Sequence, residues 1–293
     1  HLKDVPKTSK SLRIQSERKL NSDKEDVPFP GYEALSDEMN EKPASIILTI
    51  TDSEGNHIRN VKKNASNGSG RIAWNLRHKS YYPVRAGRAQ SNRWWNPSGP
   101  YVTPGQYTAN LYLENNGSVE KLDGPVEFNV KPLRAGTLEG SSHEEYNSFR
   151  ERISSLYIEM SKYQDEFNMM ENKVQLLEKA SMQLEEFSPE LMKKISDFKA
   201  KYSAFDSETN GNNARSEIGE WDKVTISTRV QIAMQGLSTS YGPTDLNKSN
   251  LEIAEKLFKK LATDVKMFKS ELETLENEVK ELNPPHLSGT GIN

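Results

Sequence analysis

The sequence has no cysteine, few histidines and no long apolar run. The lack of cysteine excludes disulfides, thiolate zinc sites and cysteine nucleophiles, and it leaves the cellular compartment open. No apolar stretch approaches the roughly 18–20 residues that span a bilayer, so we expect no transmembrane segment. No two histidines stand at the spacing of metal ligands, which predicts no metal site. The histidines are His1, His57, His78, His143 and His286.

Catalytic motifs are missing as well. There is no G-x-S-x-G nucleophile motif, and Ser69, which stands between two glycines, belongs to a turn that no helix follows. Two adjacent carboxylate pairs, Glu144/Glu145 and Glu185/Glu186, lie on predicted helices, where neighbours point about 100° apart and make poor acid–base partners. We therefore predict no catalytic residue, no cofactor and no metal.

Acidic residues are absent from positions 55–113, although Asp and Glu make up 42 of the 293 residues. The same stretch holds nine Lys or Arg, whereas residues 139–285 hold 27 acidic against 19 basic residues. Either the two regions dock on each other, or the basic one meets an anion outside the chain. The net charge of −3 does not suggest nucleic-acid binding.

Residues 1–43 are polar and rich in turn formers, and we interpret them as a linker or excursion and not as a domain. Short helices are predicted over Ser9–Leu20 and Tyr32–Glu41. The chain begins without a start methionine or a signal peptide, so we expect a mature or trimmed fragment. His1-Leu2 is interpreted as the tail of a strand.

Residues 44–134 alternate apolar and polar side chains in short runs separated by Gly and Asn turns, which is typical of antiparallel strands. In the first turn, Asp52–Gly55, an aspartate usually serves the backbone. Six or seven such strands predict an Ig-like antiparallel β-sandwich. The predicted strands cover residues 46–50, 57–61, 72–76, 107–113, 119–122 and 126–130.

Residues 143–285 change to a period of 3.5, with apolar residues in steps of four and three. One such seam runs from Phe149 to Leu177 and another from Ala254 to Leu282. A shorter helix is expected to start at Ser188-Pro189, a polar loop to cover 205–215, and a weaker helix to run from Trp221 to Leu237. Together they predict an antiparallel four-helix bundle whose seams bury against each other, with a partner helix as the alternative. The tail is 286–293.

A long loop between the third and fourth predicted strands is rich in aromatic and cationic residues. Such side chains form interface hot spots or stack on sugars, and we favour contact with a protein over contact with a glycan. The alternative is that the loop folds onto the edge of the sandwich or onto the helices. The interface candidates are Tyr81, Tyr82, Arg85, Arg88, Arg93, Trp94 and Trp95.

Three stretches carry a family resemblance: EKPASIILTITDSEGNHIRNV, RIAWNLR and GPYVTPGQYTANLYL. They resemble the C-terminal module of bacterial sortilin-like β-propeller proteins, which are often described as glycosyl hydrolases with Asp-box (BNR) repeats. The D-x-x-G turn, the W-N pair and the P-G-x-Y strand are also similar to the Ig-like domain of flagellar hook-capping proteins. In this sequence they are Asp52–Gly55, Trp74-Asn75 and Pro104–Tyr107. No Asp-box occurs here, and we expect the first strand of the sandwich to precede His1.

The resemblance implies a non-catalytic C-terminal module of an extracytoplasmic bacterial protein, located in the periplasm, on the cell surface or outside the cell. Such a module would brace an upstream β-propeller and bind protein, with an envelope or outer-membrane complex as a further partner. One alternative is an accessory, carbohydrate-binding region of a secreted glycoside hydrolase. Another is a free-standing subunit of an envelope complex whose helices dock on a membrane protein.

Overall fold

The computed structural model describes residues 1–81, 99–133, 139–239 and 241–284. These residues divide into two compact units, 1–80 with 99–133 and 81 with 139–284. The first unit carries a four-stranded antiparallel sheet and two helices, and the second carries five helices. The predicted combination of antiparallel strands and helices is confirmed at this level.

The sheet consists of β1 (Ser45–Asp52), β2 (His57–Asn64), β3 (Gly105–Asn115) and β4 (Ser118–Val130) in the order β2-β1-β3-β4. Its outer pairs are the two predicted hairpins, β1–β2 and β3–β4.

The turns explain why these hairpins form. Asp52 Oδ1 accepts hydrogen bonds from the backbone N–H groups of Glu54 (3.0 Å) and Asn56 (2.8 Å), so this aspartate serves the backbone as predicted. In the second hairpin, Asn116 and Gly117 both have positive φ, 48° and 83°, as a two-residue turn of type I′ requires.

The number of strands differs from the prediction. Residues 72–76 form no strand, and Leu76 adopts a left-handed φ of 57°, which ends the extended run. Trp74 Nε1 instead donates to the carbonyl of Arg77 at 2.9 Å and closes a local loop. The two last predicted strands are one strand, β4. Within the described residues there is one sheet, with single bridges at Leu2–Gly68 and Arg77–Tyr101, so the Ig-like sandwich is not confirmed.

One face of the sheet is apolar. Its core holds Ile50, Ile58, Val102 and Tyr107, all buried, and Trp74 covers it from the loop after β2. The Trp74 ring meets Tyr107 edge-on, with ring centroids 5.6 Å apart.

The two predicted N-terminal helices are present as α1 (Ser9–Ser22) and α2 (Tyr32–Asn40). Neither helix buries a residue. Arg13 joins them through two bonds to the carboxylate of Glu38, at 2.7 and 2.8 Å.

The second unit contains α3 (His143–Ser181), α4 (Pro189–Asn210), α5 (Asn213–Glu217), α6 (Ile226–Gln235) and α7 (Asp245–Glu281). Both predicted seams are in the core, except that Met160 and Phe258 are partly buried and Leu282 is exposed. Ser188 caps α4 and Pro189 occupies its first turn, as predicted.

The two long helices run parallel. Four ion pairs each join a residue of α3 to the residue 103 positions later in α7, and successive pairs are spaced by multiples of seven. This is the spacing of g and e positions that flank the core of a parallel coiled coil. The pairs are Glu145–Lys248, Arg152–Glu255 (2.7 Å), Glu166–Lys269 (3.7 Å) and Lys173–Glu276 (2.7 Å).

Helices α4 and α6 are both antiparallel to the long helices α3 and α7. Lys194 contacts Glu278 and Lys201 contacts Glu271, so α4 and α7 run in opposite directions. Arg229 of α6 contacts Asn250 of α7, and Ile232, further along α6, accepts a hydrogen bond from the earlier residue Asn247. Helix α6 therefore also runs opposite to α7. Helix α4 therefore lies beside the C-terminal half of α7, and α6 lies beside its N-terminal turns.

The predicted antiparallel four-helix bundle is not confirmed by these contacts. Helices α4 and α6 follow each other, both antiparallel to α3 and α7, and we call the two together the return leg. In the described residues of the second unit the main helices therefore form three rods: α3, α7 and the return leg. The loop expected at 205–215 is partly helical because Phe205 packs on the core and extends α4 to Asn210. The helix expected from Trp221 begins only at Ile226, where the side chain of Thr225 caps it.

Candidate functional site

Among the predicted interface candidates, Tyr81 alone belongs to the described residues. It lies in the helical unit, and its buried hydroxyl has no hydrogen-bond partner among those residues. Burial raises the pKa of this hydroxyl, whereas the positive charge of Arg150 opposes the shift. The other six lie outside the described residues, and the interface stays a prediction. They are Tyr82, Arg85, Arg88, Arg93, Trp94 and Trp95.

A groove on the sheet unit is a candidate site that is partly lined by apolar residues. It has a volume of about 360 Å³, which falls in the range of ligand-binding clefts. Its floor includes Ile46 and Leu111, which lie on the same face of the sheet as the core residues Ile50 and Tyr107. The groove is thus the open end of the apolar face whose other end Trp74 covers.

The walls of the groove come from distant parts of the chain. Leu2 pairs with Gly68 through two backbone hydrogen bonds of 3.0 and 2.8 Å. Asn67 Oδ1 accepts from the backbone N–H of Val5 at 2.8 Å, which fixes this segment beside the loop after β2. Ile72 forms part of the opposite wall. The run Asn67–Gly70 does not form the predicted hairpin turn: Asn67 lies in a bend and Gly68 in the bridge to Leu2, so the run anchors the N-terminal segment instead.

Polar and mainly cationic side chains line the groove as well. They are Lys63, which pairs with Ile46 across the sheet, Asp123, which pairs with Leu111, and Arg71 and His1. Lys63 Nζ donates to the backbone carbonyl of Arg71 at 2.8 Å, which ties β2 to the segment that carries Ile72. A groove lined by apolar and charged side chains suits an extended polypeptide that places alternate side chains in it.

A second cleft, next to α2, is polar and is lined by Asp37, Glu41 and Glu114 among others. The carboxylate of Glu114 is already used by the fold, because it accepts from Ser45 Oγ (2.7 Å) and Lys62 Nζ (3.0 Å). The carboxylate of Glu114 therefore stabilises the fold and is not interpreted as part of a functional site.

Glu114 does give a test of the electrostatics. Its hydrogen bonds from Ser45, then Lys62, then the Gly117 backbone lower its pKa to about 2 from an ordinary 4.5. Because the folded pKa is depressed, the contribution to stability is complete above pH 4.5 and is lost as the pH falls through about 2. We expect carboxyl NMR to give a midpoint near 2 and Ser45→Ala to raise it. An ordinary carboxyl midpoint in the unsubstituted chain would contradict this assignment.

Two other residues considered in the sequence, Glu145 and His57, lie next to polar side chains of the fold. Glu145 forms an ion pair with Lys248, and His57 Nε2 lies 2.8 Å from Asn60 Oδ1. Within the described part of the chain, no three His, Asp or Glu side chains come close enough together to hold a metal ion. Over that same part, no helix has the length and apolar character needed to cross a membrane.

Comparisons with protein-family models, with curated proteins and with solved structures find no match for this chain.

Proposed function

We propose that this chain is a non-catalytic binding module whose groove holds an extended apolar segment of another polypeptide. The supporting observation is the half-covered face of the sheet: Trp74 and Val102 complete a core at one end, whereas Ile46 and Leu111 line an open groove at the other. Apolar surface that the fold leaves uncovered beside polar side chains is typical of interaction sites.

The wider setting follows the family resemblance. We propose that the parent is an extracytoplasmic bacterial protein of the sortilin-like type. Its upstream β-propeller, or an envelope protein, supplies the segment that enters the groove. In this proposal the layer over the sheet is a reduced second sheet of an Ig-like sandwich. The Leu2–Gly68 bridge supports that view because it is an antiparallel pair outside the four-stranded sheet.

Display of random extended peptides on phage, with the full chain as bait, tests the groove. We expect enriched sequences with apolar residues at alternate positions, since side chains of an extended segment alternate between the groove and solvent. Ile72→Glu places a charge on the wall of the groove and should weaken binding of the selected peptides about tenfold or more.

Val119→Glu is the matched control. Val119 is 59% exposed and pairs with Glu114, which lies on the opposite face of the sheet from Ile46. The same charge there should leave binding unchanged, and circular dichroism should show both variants folded. Selected peptides that bind Ile72→Glu as well as the wild type would refute the groove. Selective binding of glycans instead of peptides would favour the accessory region of a glycoside hydrolase.

A further inference from the structure

Helices α4 and α6 are separated by a loop that contributes no described residue to the hydrophobic core of the helical unit. We call residues 211–225, between α4 and α6, the return-leg loop. Its two ends are tied together, because Ser227 Oγ donates to Asn210 Oδ1 at 3.3 Å. Asp222 Oδ2 accepts from the backbone N–H of Asn212 at 2.7 Å and holds the base of the loop.

The base is also tightly closed. Gly211 has a φ of 92°, and a Cβ there would lie 3.2 Å from Asp222 Oδ2 and 3.3 Å from Thr225 Cγ2. Because Asn212 and then Lys223 donate backbone hydrogen bonds to Asp222, the pKa of this carboxyl is lowered. The loop is therefore held in place at its base by a charged side chain.

Three large apolar side chains of this loop are left in solvent. Trp221 is 90% exposed, Ile218 is 73% exposed and Val224 is 40% exposed. The chain is buried again from Thr225 and Ile226 onward, where α6 joins the core. An exposed tryptophan on an anchored loop contributes little to folding, and tryptophan is among the residues that most often dominate interfaces.

The charges on the loop indicate the chemistry of its partner. Glu217 and Glu220 flank Ile218 and precede Trp221, and neither carboxylate forms an ion pair within the described residues. Arg215 lies 4.0 Å from Asp222, which offsets its charge, and Lys223 is the remaining cation. Residues 217–224, which we call the tip of the loop, therefore combine exposed apolar side chains with a net negative charge.

We propose that this tip binds a cationic segment of a partner protein. A Lys or Arg side chain of that segment lies over the indole of Trp221, while Glu217 and Glu220 accept hydrogen bonds from its charged end. An aromatic face and carboxylates together favour Arg and Lys over neutral side chains. Gly219, with a φ of 73°, turns the backbone between the two carboxylates.

The test follows the indole N–H signals of the full chain by NMR, with Trp221 assigned from Trp221→Phe. The probe is an acetylated, amidated peptide with two arginines separated by glycine, and the same peptide with glutamines is its neutral counterpart. We expect the arginine peptide to shift the Trp221 signal to saturation and the glutamine peptide to leave it unmoved. The double variant Glu217→Gln/Glu220→Gln should weaken binding about tenfold, because it keeps the ring and removes both charges.

Phe187→Ala is the control variant, since Phe187 is another exposed aromatic residue of the same unit, 62% exposed and outside the loop. It should bind the arginine peptide like the wild type. The proposal fails if the Trp221 signal does not saturate, if both peptides act alike, or if the double variant binds as well as the wild type. Each of these outcomes leaves the groove proposal intact, because the groove lies in the other unit.

Discussion

Phe167→Ala is expected to destabilise the helical unit by about 3–5 kcal/mol, which is the usual cost of truncating a large core aromatic residue to alanine. Phe167 is 1% exposed and stacks on Tyr202, with ring centroids 4.1 Å apart. Its ring also stacks on Tyr163 at 5.6 Å. Loss of this ring would leave a cavity where α4 contacts α3.

Denaturant unfolding followed by circular dichroism at the helical band measures this effect. Met169→Ala is a matched control, because Met169 lies on the same helix, is 59% exposed and should change stability by no more than about 0.5 kcal/mol. Equal destabilisation by both substitutions would mean that α3 does not bury the face that carries Phe167.

Trp74→Ala is the second substitution with a large expected effect. Among the residues that the structure describes, the core cluster of the sheet unit holds four buried apolar residues, so the indole that covers them makes up much of its apolar contact. Removing this ring should cost about 3 kcal/mol or more and should unfold the sheet before the helices. The unfolding transition can be followed through strand amides by hydrogen exchange.

Trp74→Phe separates the two contributions of this side chain. Phenylalanine keeps most of the apolar contact with Tyr107 and Phe128 but loses the 2.9 Å hydrogen bond from Nε1 to the Arg77 carbonyl. We expect a loss of about 1 kcal/mol for this variant. If Phe and Ala were equally damaging, the hydrogen bond and not the apolar cover would be the main contribution.

Both proposed binding surfaces combine segments that are distant in sequence or break a local pattern, which is why sequence reasoning missed them. The groove joins Leu2 to Gly68 and places both beside β1 and β3. The sequence indicates that His1-Leu2 is the end of a strand, but no local pattern shows which segment pairs with it. In the return-leg loop, the sequence predicts a weaker helix from Trp221, whereas the helix begins only at Ile226. Gly219 between two acidic residues was the available signal for a break.

Local patterns by themselves determined the hairpins, the start of α4 and the buried seams. Asp52–Gly55 and Asn115–Gly117 specify turns by short-range hydrogen bonds and positive φ, and Ser188-Pro189 specifies a helix start in the same local way. The period of 3.5 fixes which side of α3 is apolar, because that depends only on residues within a few turns.

Only the tertiary structure decided the number and direction of the helical rods and the number of strands. A seam shows which face is buried but not whether its partner runs parallel, and the constant offset of 103 between ion-paired residues of α3 and α7 resolves this. Likewise, the alternation at residues 72–76 matches a strand, but the left-handed Leu76 and the cover that Trp74 provides arise from packing on the sheet. Side-chain period is a property of one segment, whereas direction, pairing and cover depend on contacts between segments far apart in the chain.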